Sequence, residues 1–185
     1  MRYQTYRLHR HAFLIRIIGF ICGRSYSEAL KECRKAIAWL ERKPFVSKST
    51  LSSFLYQQLG VHTQLQQYSE GKLVAERALK LEESGSFNWF KNRELSLVLA
   101  LHSGEYAEAV RIFTEVQRQP AFKELDPISR EAWKLIEAYL YFLYLIGKID
   151  PELDITFRIS KFLNEVPFFS KDKRGKNIPI LVVQI

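Results

Sequence analysis

The sequence predicts an all-α fold, and three observations support that prediction. Apolar residues recur at three- and four-residue spacing along most of the 185 residues, as they do on one face of a helix. Sustained alternation of apolar and polar residues, the pattern of a strand, is nearly absent. Only 8 Gly and 6 Pro interrupt the chain, which disfavours a turn-rich β fold. We therefore expect helices almost throughout, connected by short turns.

Breaks at Gly, Pro, Ser and Asp divide this pattern into nine helical segments. Gly adopts the left-handed cap, Pro lacks the N–H donor, and Ser or Asp caps the first turn. Asp126-Pro127 is a good start, since a cap residue precedes proline at the first helical position. Residues 139–146 are apolar all round, which predicts a helix buried between neighbours. The nine segments are 4–22, 26–42, 48–60, 68–83, 87–102, 105–118, 127–146, 151–165 and 171–185.

Composition and cysteine content exclude several classes of protein. A hydrophobic share of 47% is too high for a disordered chain, and two cysteines are too few for a disulfide-stapled scaffold. The basic N-terminus leads into an apolar stretch, but Arg16 interrupts it and no cleavage site follows. We expect no secretory signal and no membrane segment. The expected location is cytoplasmic, with Cys22 and Cys33 as free thiols packed as small hydrophobes.

Positive charge is concentrated near the N-terminus. Residues 1–43 contain ten Lys and Arg against three Glu, and so supply +7 of the net +8. Such a segment could bind nucleic acid or an acidic protein. A solvated surface is the favoured interpretation, because no nucleic-acid motif accompanies the charge. Arg7, Arg10 and Arg16 are the candidate contacts if nucleic acid binds here.

One spacing of Tyr, small and apolar residues occurs three times. Its members are Gly104, Tyr106, Ala109, Phe113 and Val116; Tyr26, Ala29, Cys33 and Ala36; and Tyr68, Gly71, Ala75 and Ala78. This pattern resembles the middle of a tetratricopeptide repeat. There the Tyr begins the second helix, the small residue lets two helices approach, and the aromatic fills the gap to the next hairpin. The resemblance implies a right-handed α-solenoid of antiparallel helix hairpins, forming one domain over residues 1–185.

Some features depart from the tetratricopeptide pattern. The repeated Tyr residues are separated by 42 and 38 residues, whereas the period of the family is 34. The Trp that the family places near the start of its first helix is missing. A fourth match is degraded, with Leu153, Phe157 and Ser160 following Gly147. Armadillo and HEAT repeats have periods near these values and are the alternative within the same architecture.

The last predicted helix, 171–185, ends on apolar residues without a cap. A free-standing solenoid needs a polar terminal helix. We therefore expect that the chain is a fragment of a longer protein, or that this helix packs on another chain. A homodimer formed through the exposed C-terminal helix is the second possibility.

Chemical motifs are mostly absent from the sequence. His9 and His11 point to different sides of a helix, and His62 and His102 each stand alone at a helix end. No phosphate-binding loop, dinucleotide fingerprint, nucleophile elbow or zinc-protease motif occurs. Glu82-Glu83 is a carboxylate pair that we interpret as a solvated helix end. We expect no enzyme activity, no metal site and no cofactor.

Function is therefore expected to follow from shape. In stacked hairpins the first helix of each pair lines a concave face, which typically binds a peptide or protein partner. Helices 48–60 and 87–102 place Tyr56, Gln57 and Lys91 on that face, which is not a clamp for carboxylates. The first hypothesis is a non-catalytic scaffold for protein–protein interaction. The alternatives are a nucleic-acid-binding repeat protein and a regulatory repeat domain attached to an effector.

Overall fold

The computed structural model describes residues 2–150, which form seven α-helices and one 3-10 helix. No strand occurs among these residues, so the predicted all-α class is confirmed for them. Seven of the nine predicted segments correspond to helices. The segments 151–165 and 171–185 lie outside the described residues, as does the degraded fourth repeat beyond Asp150. The α-helices are α1 Arg2–Cys22, α2 Tyr26–Glu41, α3 Lys48–Gln64, α4 Tyr68–Leu79, α5 Phe87–His102, α6 Tyr106–Gln117 and α7 Pro127–Leu145.

Two compact units divide the chain after Glu105. The first unit contains α1 to α5, and the second contains α6, the 3-10 helix Pro120–Glu124 and α7. The single domain over 1–185 stays a prediction, and each unit is described by itself. Two predicted ends were wrong: α3 continues past Gly60 to Gln64, and α4 ends at Leu79 rather than at residue 83.

The first unit is built from packed helix hairpins. α1 packs against α2 and α3 packs against α4, while α5 contacts both α3 and α4. Because α3 also contacts α1, the odd-numbered helices of this unit are neighbours. Tyr6, Cys33, Leu40, Phe54 and Ala78 belong to one buried cluster drawn from α1, α2, α3 and α4. Apolar burial along both hairpins therefore stabilises the unit.

Four turns of the chain have the same hydrogen-bonding pattern. After α1, the Ser25 amide donates to the carbonyl of Phe20 at 2.8 Å, and the Arg24 amide donates to that of Ile21 at 3.0 Å. This pair of bonds is a Schellman motif, which needs a left-handed residue after the helix. The same two bonds recur after α3, α5 and α7. The left-handed residues are Arg24 (φ 55°), Gln66 (φ 54°), Gly104 (φ 76°) and Gly147 (φ 70°).

The repeated Tyr residues begin helices, as predicted from their spacing. Tyr26, Tyr68 and Tyr106 are the first residues of α2, α4 and α6, each two residues after a left-handed turn residue. The positions three, seven and ten residues after each Tyr are all buried. The repeat is therefore visible in the structure as a common turn followed by a common buried face.

Gly71 shows why the residue three places after the Tyr of the repeat is small. A Cβ atom placed on Gly71 would lie 2.5 Å from Cδ2 of Leu99 and 3.2 Å from Cβ of His62. α4 therefore approaches α3 and α5 closely at this point, and no larger residue fits without movement of its neighbours.

The second unit is held by aromatic packing around Trp133. The Trp133 ring lies 6.4 Å from the ring of Phe113 and 6.5 Å from that of Phe122. The carboxylate of Asp126 accepts a hydrogen bond from the Ser129 amide at 3.1 Å, with Pro127 next to it, so the predicted helix start is confirmed. The expectation that 139–146 is buried all round is wrong, because three large side chains are exposed: Phe142, Leu145 and Ile146.

The two cysteines lie in different environments. Cys33 is fully buried, and that burial, with Glu32 next to it in the chain, raises the pKa of its thiol to about 12. A thiol with such a pKa is unreactive at neutral pH. Cys22 is exposed at the end of α1, so the expectation that both thiols pack as small hydrophobes is wrong for Cys22.

Candidate site between α3 and α5

A pocket of about 270 Å³ lies between α3 and α5, in the first unit. Each helix contributes side chains at positions i, i+3 and i+4, which share one face of a helix. The α3 side is polar and aromatic, and the α5 side carries an aromatic ring, two amides and an ammonium group. The lining residues are Ser52, Ser53, Tyr56, Gln57, Phe87, Asn88, Lys91 and Asn92.

Tyr56, Gln57 and Lys91, the binding residues expected from the sequence, all line this pocket. The helices close up next to it, since a Cβ atom on Gly60 would lie 3.8 Å from Cδ2 of Leu95. The sequence thus locates the two helix faces that form the pocket, although it does not locate the whole lining.

Lys91 forms an ion pair with Glu94 in the same helix. Its Nζ donates to Oε2 of Glu94 at 2.8 Å, and lies 5.9 Å from the centre of the Phe87 ring. Burial raises the pKa of the Tyr56 hydroxyl, Glu94 raises it further, and Lys91 partly offsets both effects. Tyr56 therefore stays a neutral phenol at physiological pH, able to donate one hydrogen bond.

A second carboxylate lies beside the pocket. Ser52, which is buried, donates its hydroxyl hydrogen bond to Glu82. Glu82 is partly buried by this contact, so the interpretation of Glu82-Glu83 as a fully solvated helix end is wrong for Glu82. With Glu94 and Lys91, the surroundings of the pocket hold two carboxylates and one ammonium group.

Asn92 is the residue of the pocket with an unmet hydrogen-bonding requirement. Its side chain is 1% exposed, and its Oδ1 has no hydrogen-bond partner in the described part of the chain. Buried amide oxygens in proteins are almost always hydrogen-bonded, because leaving one unpaired costs about 1–3 kcal/mol. The oxygen has almost no accessible surface, so a donor from outside the chain satisfies it once a neighbouring side chain of the pocket wall moves aside.

The sequence did not predict Phe87, Asn88 and Asn92 as lining residues. The face of α5 chosen from helical spacing started at Lys91 and did not include its neighbour Asn92. The signal that could have found Phe87 and Asn88 is the same i, i+3, i+4 spacing carried one turn towards the N-terminus, and Asn92 then follows at i+4 from Asn88. No sequence signal distinguishes the buried Asn92 from the exposed Asn88, since that difference depends on how α5 packs.

The basic N-terminal hairpin has a different arrangement. Arg16 donates through Nε to Oε1 of Glu32 at 2.6 Å, and Lys35 lies 3.6 Å from the other oxygen of this carboxylate, which belongs to a buried residue. Arg7 is exposed and Arg10 is partly buried beside His11. A shallow depression of about 570 Å³ includes Arg16 but neither of the other two arginines; it is lined by Phe13, Arg16, Glu32, Lys35, Ala38, Trp39 and Arg42.

Within residues 2–150, no helix is both long and apolar enough to cross a bilayer. Among the same residues, no group of three or more His, Cys, Asp or Glu side chains is placed to hold a metal ion.

Comparison with known proteins gives no match to a family model, to a curated protein or to a solved structure.

Proposed function

We propose that the chain is a non-catalytic scaffold for protein–protein interaction, which binds a peptide segment of a partner in the pocket between α3 and α5. The observation that supports this proposal is that one pocket gathers Tyr56, Gln57 and Lys91 with exposed Phe87 and unsatisfied Asn92. An exposed ring beside several amides can hold the side chain and the backbone of a peptide together.

The architecture proposed for residues 2–105 is the tetratricopeptide-like solenoid of antiparallel hairpins that the sequence predicts. Its support is the contact of α3 with both α1 and α5, together with the common turns and the common buried face of α2 and α4. In such an array the odd-numbered helices line the concave face, where peptides bind. A cytoplasmic location and a homodimer through residues 171–185 stay predictions.

The test is an affinity purification from lysate after nuclease treatment, read by mass spectrometry. Gln57→Arg fills the pocket with a long cation, whereas Gln64→Arg makes the same change at an exposed position of α3 outside it. We expect a discrete partner with the unmodified chain and with Gln64→Arg, and its loss with Gln57→Arg. A partner retained by Gln57→Arg would contradict the proposal.

A second candidate function is nucleic-acid binding by the α1–α2 hairpin. The supporting observation is the depression that combines Arg16, Lys35 and Arg42 with the rings of Phe13 and Trp39. Cations beside aromatic rings suit single-stranded nucleic acid, whose phosphates and bases they contact.

Salt dependence tests this second function. Affinity for a single-stranded oligonucleotide should fall steeply as salt concentration rises, and the triple change of Arg7, Arg10 and Arg16 to Glu should abolish it. Since Arg16 is paired with Glu32, Arg42→Glu changes a cation of the depression without breaking that ion pair and is the cleaner variant. Weak binding that is independent of salt would exclude this function.

A further inference from the structure

We propose that the pocket between α3 and α5 selects an uncharged peptide segment, one of whose N–H groups donates a hydrogen bond to Asn92, and that it rejects acidic segments. This inference rests on the proposed function and specifies the ligand class of the same site.

The first step of the argument is the unmet acceptor. Asn92 Oδ1 is buried in the pocket wall without a partner in the described chain, so the ligand group that satisfies it is a donor. The backbone of an extended peptide supplies N–H donors whatever its side chains are. A carboxylate or phosphate group placed against Asn92 supplies only acceptors, so this contact selects a backbone N–H, and the rejection of acidic segments rests on the charge of the site.

The second step is the sign of the local charge. Lys91 is the pocket's cation, and its Nζ is occupied by Glu94 at 2.8 Å. Glu82, which accepts from the lining residue Ser52, adds a carboxylate without adding a cation. The pocket therefore does not share the +8 charge of the chain, and an acidic peptide gains no net attraction there.

The third step is the apolar wall. Phe87 is 61% exposed beside the pocket, and the ring of Tyr56 lines the pocket from the opposite helix. Two rings facing a small volume stabilise an aliphatic or aromatic side chain by removing it from water. An uncharged segment with one apolar side chain thus matches the donor requirement and the apolar wall, and it avoids the repulsion that an acidic segment meets from the two carboxylates.

The test uses an array of short peptides blocked at both ends, divided into acidic, neutral and basic sets of matched length. The affinity of each binding peptide for the unmodified chain is then measured in solution at increasing salt concentration. We expect neutral peptides to bind best, with affinity almost independent of salt, because no counterions are released. Acidic or basic peptides as the best binders, with affinity falling steeply as salt rises, would overturn the inference.

Asn92→Leu tests the proposed hydrogen bond directly. This change removes the acceptor and keeps a similar volume, so thermal unfolding should show an intact fold. We expect at least a tenfold loss of affinity, roughly the effect of one buried hydrogen bond. The matched control is Asn88→Leu, an exposed amide of the same pocket and helix, which should cost about threefold or less.

The outcomes distinguish this inference from the function on which it rests. Binding that is lost with Gln57→Arg but unchanged by Asn92→Leu would overturn the inference alone. Absence of binding by every peptide set, or binding that Gln57→Arg does not reduce, would overturn both.

Discussion

His62 is a buried histidine near the end of α3, and its environment favours the neutral ring. The side chain is 1% exposed, and Nδ1 donates to Oε1 of Gln67 at 2.9 Å. Burial lowers the pKa of His62 below 6.5, and the positive charge of Arg34 acts in the same direction. The hydrogen bond with Gln67 and the charge of Glu70 oppose these effects without cancelling them.

The free energy of unfolding should therefore fall as pH drops through the region below 6.5. In that region the unfolded chain binds a proton at His62 that the folded chain excludes, so protonation favours unfolding. Well above pH 6.5 the ring is neutral in both states and its contribution is fully present. Denaturant unfolding at a series of pH values measures the effect.

His62→Gln should remove this part of the pH dependence. The matched change, His102→Gln, alters an exposed histidine at the end of α5 and should leave the dependence in place. If both variants show the same slope as the unmodified chain, the account of His62 is wrong.

Gly71 sets the distance between α4 and its two neighbouring helices. Gly71→Ala should destabilise the fold by about 1–3 kcal/mol, because the new Cβ meets the buried side chain of Leu99 at 2.5 Å. Gly60→Ala is the control, since its Cβ has an ordinary contact at 3.8 Å inside α3. That control should gain helix propensity instead. Thermal and denaturant unfolding of both variants would detect the contrast, and a neutral Gly71→Ala would contradict the close packing.

At the level of helices and turns, the Schellman motif after α5 requires a left-handed residue at Gly104. Gly104→Ala should destabilise by about 1 kcal/mol, because Ala is strained at φ 76° although nothing lies within 4 Å of the new Cβ. Gly19→Ala makes the same chemical change inside α1, also with nothing within 4 Å. It should stabilise by up to about 1 kcal/mol.

The opposite signs of these two substitutions test the turn independently of packing. Equilibrium unfolding in urea measures the change in the free energy of unfolding for both variants, and both substitutions lie in the first unit of the protein. Equal shifts in one direction would show that the backbone conformation at Gly104 does not control the stability of the turn.

Local sequence signals predicted the helices well, because each depends on neighbouring residues. The three Tyr residues, the Asp126 cap and the Gly104 turn were found at their predicted positions. The end of α3 was missed because Gly60 lies inside the helix against Leu95, where packing overrides the tendency of Gly to end helices. Non-Gly residues at Arg24 and Gln66 adopt the left-handed conformation, which the sequence does not reveal.

The candidate site was predicted only in part, for a physical reason. Helical spacing placed Tyr56, Gln57 and Lys91 on facing surfaces. Three further features set their chemistry: Glu94 is paired with Lys91, Glu82 accepts from Ser52, and Asn92 is buried. The Lys91–Glu94 pair has i, i+3 spacing within α5 and could have been read from the sequence, whereas the Ser52–Glu82 contact and the burial of Asn92 arise from packing between elements and have no signature at short spacing.

For the molecule as a whole, positive charge and the candidate pocket occupy different places. Residues 1–43 carry +7, and the pocket lies between α3 and α5, where Lys91 is already paired. The net charge therefore favours general attraction of anionic molecules, whereas the proposed partner is selected by a pocket without excess positive charge. Salt separates the two, because the general attraction of anions weakens as salt rises, whereas binding in the pocket is expected to be almost independent of salt.

Photo-crosslinking from the pocket tests the central claim most directly. Benzoylphenylalanine at Phe87 keeps an aromatic ring in the pocket, and the same group at Leu73, 68% exposed on α4, is the control. After irradiation in lysate, mass spectrometry identifies the crosslinked peptides. We predict crosslinks from position 87 to one discrete segment of a partner protein, and none to that segment from position 73. Equal crosslinking from both positions, or crosslinks to nucleic acid alone, would contradict the proposal that this pocket binds a peptide.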